Sequence, residues 1–156
     1  MRHRGDDTNG RNYALRIPAT ALAEYPTKSR LEMSIMINST TTEASNICEI
    51  TVGRASDGAC VILPKLGLAD GIVSIYDTSG NKIADVGRAD EFINLTIDYH
   101  FGQKTYYVYA DGVLRGSSSA AYGSNRHALP GKVTVGSAST TVADYVIDNV
   151  RFVNYK

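Results

Sequence analysis

The chain has 156 residues, 43% of them hydrophobic and 21% charged, which is the composition of one globular domain. Lysine plus arginine and aspartate plus glutamate both number 16, and this balance argues against a nucleic-acid-binding protein, which normally carries a basic excess. No apolar run approaches the roughly 20 residues that a membrane span needs, and the polar leader at residues 1–10 lacks the apolar core of a signal peptide.

Alternating apolar residues predict strands throughout the first half of the chain. The alternation is clearest at Leu31, Met33, Ile35 and Ile37. The predicted strands of this half are residues 13–17, 31–37, 47–52, 59–63, 72–76 and 82–86. Pro64 is expected to end the strand before it, because proline cannot donate to a sheet ladder.

The stretch from Phe92 to Gly112 predicts a hairpin in the middle of the chain. If His100 faces Thr105 across the loop, three apolar pairs follow on one face: Leu95 with Ala110, Ile97 with Val108, and Tyr99 with Tyr106. The other face then collects Thr96, Asp98, His100, Thr105, Tyr107 and Tyr109. A slip of one residue would destroy this match, so the pattern itself indicates the register.

The last third of the chain predicts a short continuation, a loop and two further strands. The ranges are 113–115 for the continuation, 117–127 for the small-residue loop, and 132–135 and 145–154 for the strands. Ile147 has one parity in the final strand, whereas Val150 and Phe152 have the other. All three can face the core only if a bulge lies near Asp148 and Asn149.

Many short alternating strands with turns between them predict an all-β antiparallel β-sandwich. We expect it to occupy residues 11–156 as a single domain behind the leader. Cys48 and Cys60 flank the loop at 54–58, and the apolar residues around them favour buried thiols over a disulfide.

Three stretches carry a resemblance to a known family. YVYADGVL, from Tyr107 to Leu114, resembles the "LYVDG" hairpin of the concanavalin A-like lectin and glucanase superfamily, in particular of laminin-G-like domains. Phe92 stands where that family has an aromatic residue, usually Trp. YVIDNVRFVNY (145–155) is similar to the family's closing strand, and NYALRI (12–17) to the partner of that strand at the other end of the chain. The resemblance implies a concanavalin A-like jelly roll.

The polar face of the central hairpin is the candidate ligand site. Tyr107 and Tyr109 can stack on sugar rings, while Asp98 and His100 bind hydroxyl groups. In the family that the chain resembles, the corresponding sheet face often binds ligands. The alternative is an ordinary half-solvated sheet face, where Thr and Tyr are common.

Calcium is the candidate metal, because the laminin-G-like resemblance implies calcium-binding loops. Four aspartates in or beside predicted turns can supply the oxygen ligands that calcium prefers: Asp70, Asp77, Asp85 and Asp144. The alternative is that these residues only form turns.

Catalysis is not expected. Glycosidases of the resembled fold carry paired carboxylates in an E-x-D-x-x-E strand. That motif is absent: Glu49 and Glu32 have no acidic same-face neighbour, and Asp90 and Glu91 lie at a turn.

The sequence therefore favours a non-catalytic, lectin-like module that binds a glycan or a surface protein. A structural subunit of a virion surface or fibre, which self-assembles or binds a capsid or fibre partner, is the alternative. A glycoside hydrolase is the third hypothesis. The expected location is extracellular or on a virion surface, without nucleic-acid partners or a membrane span.

Overall fold

The computed structural model describes residues 2–5, 12–15, 27–53, 59–119, 121–122, 132–137 and 143–155. Within these ranges the regular structure consists entirely of strands. The strands are β1 Arg2–Gly5, β2 Asn12–Leu15, β3 Lys28–Ile37, β4 Ala44–Gly53, β5 Ala59–Ala69, β6 Ile72–Tyr76, β7 Lys82–Arg88, β8 Ile93–His100, β9 Thr105–Ala110, β10 Val113–Ser119, β11 Ala121–Tyr122, β12 Lys132–Ser137 and β13 Ala143–Tyr155. These ranges contain no helix long and apolar enough to cross a membrane.

The strands form two antiparallel sheets. The first has the order β1-β13-β3-β8-β9-β10, and the second has the order β2-β12-β4-β5-β6-β7, with β11 paired to β5. A core of large apolar side chains fills the space between the sheets, and it includes Leu31, Ile35, Ile50, Leu66, Ile75, Leu95, Ile97, Tyr106 and Tyr145. The predicted all-β antiparallel sandwich is therefore confirmed.

The predicted register of the central hairpin is also confirmed. His100 pairs with Thr105, Ile97 with Val108, and the remaining pairs follow in step. The six apolar members of these pairs are buried, because alternation sends every second side chain into the core.

The closing strand β13 carries the predicted bulge. Its pairing with β3 shifts between Asp148 and Arg151, and Asn149 has a positive φ of 52°. The irregularity inverts the parity of the strand, so Ile147, Val150 and Phe152 all pack against the core.

The prediction that a strand ends at Pro64 is wrong. β5 continues through Pro64 to Ala69. On one side of β5, β11 pairs with Val61 and Ile62, and β6 pairs only from Lys65 onward. On the other side, the pairing with β4 shifts its register between Glu49 and Thr51. Pro64 therefore lies at an irregularity of the ladder, where a strand tolerates a residue that has no N–H group.

The expected loop at 117–127 is wrong at its start. β10 runs to Ser119, opposite Thr105 on β9, and the short strand β11 follows. The loop at 54–58 and residues 123–131 lie outside the described residues. At the other end of the chain, Arg2–Gly5 of the expected leader form β1, which pairs with β13 at the sheet edge.

Cys48 is a buried free thiol among core residues of β4. Burial raises the pKa of this thiol, which keeps it protonated. The prediction of a buried thiol is thus confirmed for Cys48, whereas the side chain of Cys60 lies outside the described residues.

Candidate functional site

The outward side of the first sheet is the candidate site, and we name it the polar face. Its members come from five neighbouring strands, and the register aligns them in three rows across the sheet. The first row is Tyr155, Lys28, His100, Thr105 and Ser119. The second row is Val153, Arg30, Asp98, Tyr107 and Ser117. The third row is Arg151, Glu32, Thr96, Tyr109 and Leu114.

Asp98 lies at the centre of the polar face and is buried. Arg30 of β3 binds its carboxylate in a bidentate manner: Nε donates to Oδ1 at 2.6 Å and Nη2 donates to Oδ2 at 2.7 Å. Lys28 Nζ donates to the same Oδ2 at 3.3 Å. Two cations therefore hold one carboxylate, in the planar geometry that arginine favours.

This arrangement shifts the pKa of Asp98 and that of Arg30. Burial raises the pKa of Asp98, but the hydrogen bonds and charges of Arg30 and then Lys28 outweigh it, so the pKa is lowered overall. The hydrogen bond to Asp98 raises the pKa of Arg30. Counted by formal charge, the two cations and one carboxylate leave a surplus of one positive charge.

Aromatic side chains flank this ion-paired centre. The rings of His100 and Tyr107 meet edge to face with centroids 5.2 Å apart. Tyr107 Oη donates to Gln103 Oε1 at 3.4 Å. On the opposite side, Lys28 Nζ lies 5.0 Å from the ring centroid of Tyr155, a cation–π contact.

The four residues predicted for the ligand site are thus on one face of the sheet. Asp98 and Tyr107 are directly paired, and Tyr109 pairs with Thr96 one row away. His100, Tyr107 and Tyr109 are half-buried, so part of each side chain faces solvent, whereas Asp98 is buried.

Sequence reasoning missed Lys28, Arg30 and Tyr155 as members of this face. The alternation of β3 placed Lys28 and Arg30 opposite the buried Leu31 and Met33, so their outward orientation could be read from the sequence. Their position beside Asp98 depends on the pairing of β3 with β8, two strands far apart in the chain, and no local pattern indicates that pairing.

Two of the aspartates proposed for calcium have nearby hydrogen-bond donors as partners. Asp77 accepts the N–H groups of Ser79 at 2.9 Å and Asn81 at 2.8 Å, and the Asn81 side chain at 3.0 Å. These bonds, the one from the Asn81 side chain above all, lower the pKa of Asp77. Asp85 pairs with Lys82 and accepts a hydrogen bond from Ser74, and these contacts lower its pKa.

The other two aspartates lie in different surroundings. Asp70 is exposed in the β5–β6 turn with a positive φ of 50°. Asp144 is buried, and its backbone N–H donates to Thr41 Oγ1 at 3.0 Å. Across the described ranges, no group of three or more His, Cys, Asp or Glu side chains is placed to hold a metal ion. Calcium binding by these four residues stays a prediction.

Comparison with known proteins gives matches at the level of fold. No protein-family model matches the chain, and no curated protein matches it. A solved sialidase structure matches 98% of this chain with a TM-score of 0.67 and 15% identity, but the chain spans only 15% of that sialidase.

Two further solved structures match over most of their own length. A carbohydrate esterase from the Shiga toxin-encoding bacteriophage phi24B has a TM-score of 0.59 and 10% identity, covering 100% of this chain and 88% of that chain. An alginate lyase of polysaccharide lyase family 7 has a TM-score of 0.53 and 10% identity, and the match covers 99% of this chain and 82% of the lyase.

Identities this low establish the fold alone. The chain is an antiparallel β-sandwich of the jelly-roll kind, and it shares that architecture with proteins whose names denote action on carbohydrates. The concanavalin A-like and laminin-G-like assignments stay predictions.

Proposed function

We propose that the chain is a non-catalytic carbohydrate-binding module whose ligand lies on the polar face. The observation that carries this proposal is the grouping of half-buried His100, Tyr107 and Tyr109 with the exposed Tyr155 around the Arg30–Asp98 pair. Aromatic rings cover the apolar faces of sugars, and charged or amide groups bind their hydroxyls. The shared fold with a sialidase, a carbohydrate esterase and an alginate lyase supports a carbohydrate ligand.

The tyrosines, His100 and Asp98 have different roles in this proposed binding site. Tyr107 and Tyr109 supply stacking surface, and His100 supplies a donor or acceptor beside Tyr107. Both carboxylate oxygens of Asp98 already accept bonds from Arg30 and Lys28. Asp98 therefore acts mainly by holding these two cations in place, rather than by making the hydroxyl contacts expected from the sequence.

The protonation of Asp98 argues against its use as the general acid of a glycosidase. The acid of a glycosidase pair must be protonated near neutral pH, which needs a raised pKa. The pKa of Asp98 is instead lowered, because Arg30 and Lys28 outweigh the effect of its burial. We place the module outside the cell or on a virion surface, where glycans are accessible.

A glycan array followed by isothermal titration with the best oligosaccharide tests the proposal. Replacing Tyr107 and Tyr109 together with Ala should remove about 0.5–1.5 kcal/mol of binding free energy for each stacked ring that is lost, with the fold retained. The matched control replaces both with Phe, which keeps the rings and should keep most of the affinity. No binding by the parent protein, or equal affinities of the two double variants, would refute the proposal. Release of shorter sugars during the titration would indicate an enzyme instead.

A second candidate function is assembly on a virion surface or fibre. Phe92, Val113 and Leu114 are each more than half exposed and lie close in sequence to the ends of β8 and β10. Exposed apolar residues of this size often mark protein contacts, and one of the matching structures comes from a bacteriophage. Mass measurement in solution separates the candidates. Assembly predicts an oligomer that the Phe92→Ser variant dissociates, whereas a binding module that does not assemble has the mass of one chain in both forms.

A further inference from the structure

We infer that the ligand of the polar face carries an anionic group, a carboxylate or a sulfate, which binds at Lys28 and Arg30. The inference rests on the proposed carbohydrate-binding function and narrows its ligand to acidic glycans. Three observations support it: hydrogen-bond donors of the two cations that Asp98 does not use, the greater exposure of the cations compared with Asp98, and the position of the competing acid Glu32.

The first observation concerns hydrogen-bond donors. A guanidinium group has five N–H donors in a rigid plane, and an ammonium group has three. The bonds from Arg30 to Asp98 use Nε and Nη2. Arg30 Nη1 lies 4.0 Å from Oε1 of Glu32, an ion-pair contact that is too long for a hydrogen bond. Among the described residues, Lys28 Nζ makes one hydrogen bond, to Asp98 Oδ2. Asp98 therefore fixes the orientation of both cations and leaves donors on Lys28 Nζ and Arg30 Nη1 for a ligand.

The second observation concerns depth. The side chain of Asp98 is 5% exposed, whereas those of Lys28 and Arg30 are 27% and 33% exposed. The anion lies beneath and the cations lie above it, so a ligand on the polar face meets the cations. Charge-assisted hydrogen bonds from such fixed donors are roughly twice as strong as neutral ones. Little side-chain entropy remains to be lost when Lys28 and Arg30 bind a ligand, because Asp98 already orders both side chains.

The third observation concerns the competing acid. Glu32 also lies on the polar face, where Arg151 Nη1 donates to its Oε2 at 3.5 Å and Arg30 Nη1 faces its Oε1 at 4.0 Å, so this acid competes with a ligand for Arg30 but not for Lys28. Glu32 is four residues from Lys28 on β3, about 13 Å along the strand. An anion is therefore favoured at the Lys28 end, between Tyr155 and His100 of the first row, and opposed at the Glu32 end.

The test is isothermal titration with pairs of oligosaccharides that differ only in charge. One pair is an oligogalacturonate and its methyl ester, and the other is a sulfated galactan oligosaccharide and its desulfated form. We expect the charged member of at least one pair to bind about tenfold more tightly, equivalent to about 1.4 kcal/mol. That advantage should shrink as salt is added.

Variants locate the effect. Lys28→Gln should reduce affinity for the charged sugar about tenfold and leave the neutral sugar unaffected. Arg30→Lys keeps a cation beside Asp98 but removes the guanidinium fork, so it should cause a similar loss. Arg88→Gln makes the same charge change at an exposed position on β7 of the second sheet, away from the polar face, and serves as the control. It should change affinity much less.

The outcomes distinguish this inference from the proposed function. Equal binding of charged and neutral sugars, or equal effects of Lys28→Gln and Arg88→Gln, would overturn the inference while the module remained a carbohydrate binder. No binding in any arm or on the glycan array would overturn the proposed function, and the inference with it.

Discussion

Asp98 illustrates, at the scale of a single residue, how a carboxylate can be buried in a sheet face. Removing an isolated carboxylate from water is costly, and this cost must be offset by hydrogen bonds and opposite charges. Arg30 and Lys28 supply both, and their influence on the pKa of Asp98 exceeds that of burial. Loss of the carboxylate would leave two partly buried cations without their partner.

Asp98→Asn is therefore expected to lower the free energy of unfolding at neutral pH by about 1–3 kcal/mol. The pKa of Asp98 is lower in the folded protein than the unfolded value of about 3.9, so the unfolded state binds more protons in acid. The stabilisation is complete well above pH 4 and disappears as pH falls through the folded pKa. The difference between parent and variant should therefore shrink in acid, as measured by urea unfolding from pH 7 to pH 2.

The control for this prediction is Asp70→Asn. Asp70 is an exposed turn residue with positive φ, a conformation that asparagine tolerates well. This variant should unfold like the parent protein at each pH. If Asp98→Asn were equally harmless, the ion-paired centre would contribute nothing to stability.

Gly67 on β5 is required by close packing. An added Cβ would lie 2.6 Å from the carbonyl oxygen of Ala44 and 2.7 Å from Cε2 of the Tyr76 ring. Gly67→Ala should therefore lower stability by about 1–3 kcal/mol, as overpacking does elsewhere. Gly102→Ala is the control, because its Cβ would meet nothing within 4 Å. Thermal melting should separate the two variants, and equal melting temperatures would contradict this account of Gly67.

At the scale of elements, a bulge allows a long strand to pair along its whole length and still turn its apolar side chains toward the core. β13 spans Ala143–Tyr155 and pairs with β3 on both sides of its bulge. The bulge keeps apolar residues toward the core in both halves of the strand. It also brings Arg151, Val153 and Tyr155 onto the polar face, so the irregularity in β13 contributes to the candidate site.

The bulge depends on Asn149, which has a positive φ of 52°. Asn149→Val should cost about 1–2 kcal/mol, because a β-branched side chain clashes with the backbone in this conformation. Asn149→Gly should be neutral or slightly stabilising at the same position. Chemical denaturation measures both variants, and the opposite order would show that the bulge does not need this backbone conformation.

At the scale of the whole molecule, glycines permit close contact between the two sheets along one side. An added Cβ on Gly87 of β7 would lie 2.6 Å from Ile93 of β8, and one on Gly116 of β10 would lie 2.5 Å from Ile83 of β7. Glycine at both positions lets β7 of the second sheet approach the β8 and β10 strands of the first. The fold is thus closed along this side by apolar packing.

Thermal melting tests the calcium prediction at this scale. An ion that binds only the folded state raises the melting temperature by mass action. Calcium binding by Asp70, Asp77, Asp85 or Asp144 therefore predicts a melting temperature that falls in excess chelator and rises with calcium concentration. An unchanged melting temperature in both would leave these aspartates as turn residues. If a rise is seen, Asp70→Asn and Asp77→Asn show which turn is responsible.

Local patterns in the sequence determined the class of fold and the part of the candidate site that lies on β8 and β9. Alternation specified which side chains of β3, β8 and β9 face the core, and the pairing of apolar residues specified the hairpin register. The parity conflict between Ile147 and Val150 was enough to predict the bulge. These features depend on neighbours within a strand or across one short turn, so the sequence displays them directly.

The tertiary structure decided which strands lie side by side, and so which residues surround Asp98. Lys28 and Arg30 are about 70 residues away in the chain, and they reach Asp98 only because β3 inserts between β13 and β8. The ladder irregularity that accommodates Pro64 likewise arises from three strands meeting at β5. Pairing between distant strands depends on how the whole core is filled and on loop-closure entropy, neither of which leaves a local pattern.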